Sequence, residues 1–121
     1  LVARRTKKDP PDKGGWSAFI TGWGSADILN PVSAAFFNAS CDKALFGWPC
    51  DETIEKLRDQ FSKESDPAKQ KQIAIELQKY WVDHPTHINL GEFYQPIALR
   101  ADIEGMMVAP ATVFWNMSRK K

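Results

Sequence analysis

No stretch of this sequence is apolar for anything near the roughly 20 residues that a membrane-spanning helix needs, so no transmembrane helix is expected. No secretory leader is expected within these residues either, and the chain opens on Leu1-Val2-Ala3 rather than Met. Such a start is expected of a processed protein or of a piece cut from a longer one. Neither sign of charge dominates: 16 basic against 15 acidic residues leave a net charge of +1. A nucleic-acid binder needs a basic stripe to displace counterions from phosphates, so no nucleic-acid partner is expected. The basic residues that do cluster, Arg4-Arg5 with Lys7-Lys8 and Arg119-Lys120-Lys121, sit at the two ends and read as solvated tails.

Catalytic patterns are missing too. The sequence has no GxSxG, HExxH, GxxxxGK[ST] or GxGxxG, so it offers no nucleophile elbow, zinc-protease helix, phosphate loop or dinucleotide turn. His84 and His87 stand three apart, a spacing that puts two imidazoles on one helix face, but Pro85 between them ends the helix. They read as ordinary histidines at a helix end, and neither a metal nor a cofactor is expected. The two cysteines, Cys41 and Cys50, form no CxxC pair and have no base beside them in sequence. In a reducing cytosol they read as incidental thiols. In an oxidising compartment they can close a disulfide over a short loop, which would stabilise by roughly 2–3 kcal/mol in the chain-entropy model.

What the chain does have is enough for one domain: 121 residues, 43% hydrophobic and 26% charged, the proportions of an ordinary globular protein. Five tryptophans and seven phenylalanines make a heavy aromatic load, which serves both core and ligand contact. The first eight residues read as the end of a helix, broken by Asp9-Pro10-Pro11-Asp12-Lys13-Gly14-Gly15. Trp16 to Trp23 reads as a buried strand, Gly24 to Pro31 as a loop, and Val32 to Phe37 as a short helix. Two helices follow. The first is expected from Asp51 to Ser65, with Asp51 as N-cap and a stripe of Ile54, Leu57 and Phe61. The second starts at Asp66 as N-cap with Pro67 at its first position, runs to about Asp83, and carries Ile73, Leu77, Tyr80 and Trp81. The short linker makes them an antiparallel hairpin. Thr86 to Leu90, Tyr94 to Arg100 and Ala111 to Met117 read as extended segments, with Ile103 to Met106 a turn. This order of elements gives an α/β, or alternatively α+β, fold class.

The segment Gly15-Trp16-Ser17-Ala18-Phe19-Ile20-Thr21-Gly22-Trp23, with Gly24-Ser25-Ala26-Asp27 and Asn30-Pro31 after it, resembles the strand and loop of family 5 extracellular solute-binding proteins. These are the dipeptide-, oligopeptide- and nickel-type receptors of ABC importers. Phe46-Gly47-Trp48-Pro49-Cys50-Asp51 before the first helix is similar to the family's approach to its own. So are the Ser65-Asp66-Pro67-Ala68 joint, the Asp83-His84-Pro85 helix end and the closing Phe114-Trp115-Asn116. The likeness runs from residue 15 to 116.

The resemblance implies the C-terminal part of a two-lobed type II periplasmic-binding-protein fold, with the hairpin packed on a small mixed sheet. Residues 1–15 would be a helix end and linker, 16–85 part of the second lobe with the hairpin at 51–83, and 86–121 strands returning toward the first lobe. It implies a substrate-binding component that takes a peptide or related small solute and docks on permease subunits from the periplasmic side, and no enzyme. In peptide-binding relatives the loop Asp pairs with the ligand's α-ammonium and the aromatic at the strand end lines the cleft, positions matched here by Asp27 and Trp23. Ser25, Trp48 and Phe46 are further candidates, with Phe19 beside them, and paired cysteines like Cys41 and Cys50 also occur in dipeptide-binding members. This chain has one residue more than the common pattern between Trp23 and Asp27, Ile28 where an aromatic is usual, and Asn30 where an acid is usual. A partial fold of this kind would expose surface and self-associate. Rival readings are a freestanding protein-interaction domain using its aromatic surface, and a small hydrolase, which would need a histidine converging on Asp27.

Overall fold

A computed structural model describes residues 2–120. Its centre is the expected hairpin, α1 (Glu52–Lys63) and α2 (Pro67–Asp83). The Asp51 carboxylate accepts from the backbone N–H groups of Thr53 at 2.9 Å and Ile54 at 3.0 Å, satisfying two donors that the first turn leaves open. Its second oxygen accepts from the Tyr80 hydroxyl at 3.2 Å, so one side chain both caps α1 and ties it to α2. Asp66 caps α2 in the same way, accepting from Ala68 N–H at 2.8 Å. α1 ends at Lys63, two residues before the expected Ser65, because Glu64 turns extended and its carboxylate takes up the N–H groups of Ser65 and Asp66. Gln70 closes the joint by donating to the Glu64 carbonyl at 2.7 Å.

Among the described residues the buried hydrophobic core comprises Ala34, Phe37, Ala39, Ile54, Leu57 and Leu77. The expected stripes are there, with Phe61, Ile73, Tyr80 and Trp81 half-buried at their margins. The layer beneath the hairpin is not a sheet, however, but the turn around Ala34 to Ala39. Only Ala35–Phe37 of the expected 32–37 helix is helical, as a single 3-10 turn. Phe37 meets the edge of the Trp81 ring at 5.6 Å, and Trp81 donates from Nε1 to the Thr86 hydroxyl at 2.9 Å, which in turn donates to the Phe36 carbonyl. That relay fixes the chain leaving α2 onto the turn.

The strands depart furthest from expectation. Residues 16–23, 86–90, 94–100 and 111–117 form no strand; they run as unpaired chain or turns. The only strands among the described residues are β1 (Ile103–Glu104) and β2 (Ser118–Arg119), antiparallel, where a turn and a tail were expected. β pairing needs a second edge at about 4.8 Å, and these apolar runs meet none among the described residues. The β1–β2 pair is held by local chemistry instead: Asp102 accepts from Arg100 Nε at 2.9 Å and Arg119 Nε at 2.7 Å, and the two guanidinium groups hold its carboxyl below the ordinary carboxylate value. Gly105 follows with φ +80, and a Cβ there would fall 2.0 Å from the Asn116 carbonyl oxygen. Arg119 is therefore engaged rather than a free tail residue. Near the start, where a helix end was expected, Arg4–Thr6 is a single 3-10 turn; Leu1 and Lys121 lie outside the described residues.

The consequence is an open molecule. Its accessible surface is 9661 Å², against about 6,600 Å² for a compact monomer of this length. Much of the excess is apolar, including Ile88, Leu90, Phe93, Tyr94, Val108, Phe114 and Trp115.

One titration follows from the packing. His87 is half-buried beside Thr86, and desolvation lowers its pKa below the ordinary 6.5 despite a compensating hydrogen bond with the Phe36 backbone. Such a group binds its proton more readily when unfolded, so the stability it permits is complete above about pH 6.5 and falls as pH drops from there toward its folded pKa. Asp42 and Asp102, both lowered, act in a separate window below about pH 4, where loss of their charge removes their ion pairs. Urea midpoints measured from pH 7.5 to 5 therefore decline for the wild type, and His87→Gln flattens that decline.

Candidate ligand-binding site

The candidate residues fall into two groups held by different parts of the chain. Trp23, Ser25 and Asp27 belong to an exposed loop in which Ser25–Ile28 forms a 3-10 turn. Asp27 N–H donates to the Gly24 carbonyl at 2.9 Å. A Cβ on Gly24 would stand 2.9 Å from Asp27 Oδ2, so the carboxylate is folded back over the glycine. The next turn is built by other residues. Asn30 Oδ1 accepts from Val32 N–H at 2.7 Å, Ala34 N–H donates to the Asn30 carbonyl at 2.9 Å, and the Ser33 hydroxyl lies 3.2 Å from the carbonyl oxygens of Asp27 and Asn30.

This turn is bolted to α1. Arg58 donates from Nε to the Pro31 carbonyl at 3.1 Å and from Nη2 to that of Val32 at 3.0 Å, while Nη1 pairs with Glu55 at 2.6 Å. Glu55 accepts in turn from Ala39 N–H at 2.8 Å. Both side chains are sheltered, so this ion pair is screened less than an exposed one. The Asp27 loop thus stands on a fixed base, and its own carboxylate takes no part in capping the 3-10 turn. Trp23 is 39% exposed, and therefore is not core.

Phe46 and Trp48 form the second group, on the loop closed by the Cys41–Cys50 disulfide. Both are half-buried and already covered. The Arg5 guanidinium lies 4.7 Å over the Phe46 ring, and Lys8 Nζ lies 4.8 Å over Trp48 while pairing with Asp42 at 2.5 Å. Lys8 holds the Asp42 carboxyl below its ordinary value. Phe19 joins this group through Trp16, whose ring it meets at 4.8 Å, with Trp48 on another side at 6.2 Å. An open groove of about 450 Å³ runs past Arg4, Arg5, Trp16, Ser17 and Phe19; Trp23, Ser25 and Asp27 do not line it.

Trp16 and Arg5 are organising residues that nothing in their local sequence marks. The four basic residues near the start read as a solvated tail, yet Arg4, Arg5 and Lys8 all make specific contacts. The signal available was complementarity: a doubled basic pair within reach of a loop carrying Phe46, Trp48 and Asp42. His84 stacks on Tyr80 at 4.2 Å, and His87 sits against Thr86, so each is accounted for at the end of α2. Among the described residues no group of three or more His, Cys, Asp and Glu side chains is placed to hold a metal ion, and no helix is long and apolar enough to cross a membrane.

Comparison with known proteins supports the likeness read from residues 15 to 116. The chain is 34% identical over 119 residues to a protein of Sinorhizobium fredii named "Probable peptide ABC transporter periplasmic-binding protein". The matched region takes in 98% of this chain but about 22% of that relative's length. No family model matches the chain, and no solved structure matches it.

Proposed function

We propose that this chain is the C-terminal part of the substrate-binding component of an ABC importer, acting on the periplasmic side, with the Asp27 loop forming one wall of a cleft for a peptide or related small solute. The relative's name supports the transport role and argues against an enzyme. The observation that carries the site is the division of labour in the loop. Asn30 and Ser33 hold the turn and Arg58 anchors it, which leaves the exposed Asp27 carboxylate for a cation. A peptide's α-ammonium is such a cation, and a charge-assisted hydrogen bond would fix its direction. Trp23 and Ser25 would flank it. The Cys41–Cys50 bridge suits an oxidising compartment.

In this reading the exposed apolar runs pair with the rest of the receptor, and permease subunits are the partners of the closed, loaded form. The test is calorimetric titration of the intact protein with peptides bearing free or acetylated N-termini. Acetylation removes the cation and should abolish measurable binding; equal affinity for both forms would contradict the assignment of Asp27.

A second consequence concerns the chain alone. With roughly 3,000 Å² of surface beyond the compact expectation, it has more than the ~800 Å² per partner of a standard interface available for self-contact. Sedimentation should show concentration-dependent association, and a monodisperse monomer at millimolar concentration would count against it.

A further inference from the structure

Residues 4–16 form a strap that closes on itself and lies across the disulfide loop. Arg4 Nε donates to the Gly15 carbonyl at 2.8 Å, and Gly15 N–H donates to that of Pro10 at 3.0 Å. A Cβ on Gly15 would fall 1.6 Å from the Asp9 carbonyl oxygen, so the strap is drawn tight at this buried glycine. Trp16 Nε1 donates to the Arg5 carbonyl at 3.0 Å, holding the two ends together. The strap's side chains then grip the loop through Lys8 on Asp42 and Trp48, Arg5 on Phe46, and Trp16 against Trp48.

The gripped surface depends on a backbone that resists its own preferences. Cys41 has φ +58 and Trp48 has φ +47, left-handed values that L residues with side chains avoid, with Gly47 between at φ +106. Such conformations persist where the surroundings over-determine them. Here the surroundings are the Cys41–Cys50 bond, the Cys41 N–H donating to the Pro49 carbonyl at 2.9 Å, and the Ser40–Cys50 bridge. Both cysteines are exposed residues, and reduction requires that a thiolate reach one of their sulfurs.

We propose that the Cys41–Cys50 disulfide is a redox latch for the strap: it holds Trp48, Phe46 and Asp42 in the docking arrangement, and its reduction releases residues 4–16. The reductant is a dithiol. Its thiolate attacks one sulfur, the Sγ–Sγ bond breaks, and the mixed disulfide resolves as the dithiol closes on itself. Cys41 and Cys50 leave as two thiols, having gained two electrons and two protons. Cys41 and Trp48 then relax to ordinary backbone angles, and the cationic and aromatic contacts separate. Release bares Phe46, Trp48 and the groove beside Trp16. The proposal stands on the chain's own contacts and does not depend on the transport reading.

Hydrogen exchange read by mass spectrometry tests it on the full chain, oxidised and after reduction with dithiothreitol. The amides of Lys13, Gly14 and Gly15, bonded to the carbonyls of Pro10 and Pro11 in the closed strap, should exchange at least tenfold faster on reduction, while those of α1 and α2 keep their protection. The oxidised double variant Lys8→Ala, Trp48→Ala should exchange as fast at residues 13–15 with the disulfide intact. Unchanged exchange there on reduction, or in the double variant, would overturn the latch. So would a loss of protection in both helices together with the strap, because the disulfide would then be holding the whole fold.

Discussion

Leu77→Ala should lower the free energy of unfolding by about 3–5 kcal/mol, a large share of the ~5–15 kcal/mol that holds a typical domain together. Among the described residues Leu77 and Ile54 are the two largest side chains that are fully buried, and they sit on facing stripes of α2 and α1. Burying each is worth roughly 1.5–3 kcal/mol in removed apolar surface. Truncation also leaves a cavity that the remaining small core, largely alanine and aromatic rings, has few side chains to fill. Urea denaturation followed by helical circular dichroism reads the change, at one fixed protein concentration because association would add to apparent stability. Val82→Ala, on the same helix at 70% exposure, is the control and should shift stability by no more than ~0.5 kcal/mol. Equal effects of the two would mean that the hairpin is not the stabilising centre.

Asp27→Ala in the intact protein should weaken peptide binding by about 2 kcal/mol or more, close to 30-fold, with little change in stability. The expectation of unchanged stability comes from the geometry. Asp27 is exposed, caps no helix with its side chain, and leaves the turn to Asn30, Ser33 and Arg58. Removing its carboxylate should therefore subtract the proposed contact with a ligand and leave the protein's own hydrogen bonds intact. Asp27→Asn, which keeps shape and loses charge, separates the two contributions: most of the loss should persist if the ligand group is an ammonium. Affinity unchanged by both substitutions would remove Asp27 from the site.

The helical hairpin was legible because its determinants are local. Asp51 and Asp66 are caps, Pro67 starts a helix, Pro85 follows its end, and the apolar stripes repeat at the helical period. The strands were not, because an apolar alternation such as Thr86 to Leu90 states a readiness to pair, and pairing needs a partner elsewhere. Among the described residues those runs find none, and residues 86–100 are left without regular structure. The short β1–β2 pair was invisible for the opposite reason, since it rests on an Asp102–Arg119 contact across 17 residues rather than on a strand-like pattern.

The candidate site divides in the same way. The resemblance points to the loop from Trp23 to Pro31, which carries an exposed carboxylate on a turn anchored by Arg58, and its ligand role is the proposal. Phe46 and Trp48 carried no mark of the strap that covers them, because a contact between Lys8 and Trp48 spans 40 residues and arises from left-handed backbone at Cys41 and Trp48. Only a glycine beside Trp48 hinted at that geometry.

The most direct test of the central claim is mass spectrometry of the small molecules released when the intact protein, isolated without refolding, is denatured. A peptide or related cationic solute is expected in near-stoichiometric amount, retained by the wild type and depleted in Asp27→Ala. An intact protein that releases no such solute, and shows no affinity for peptides on titration, would contradict it.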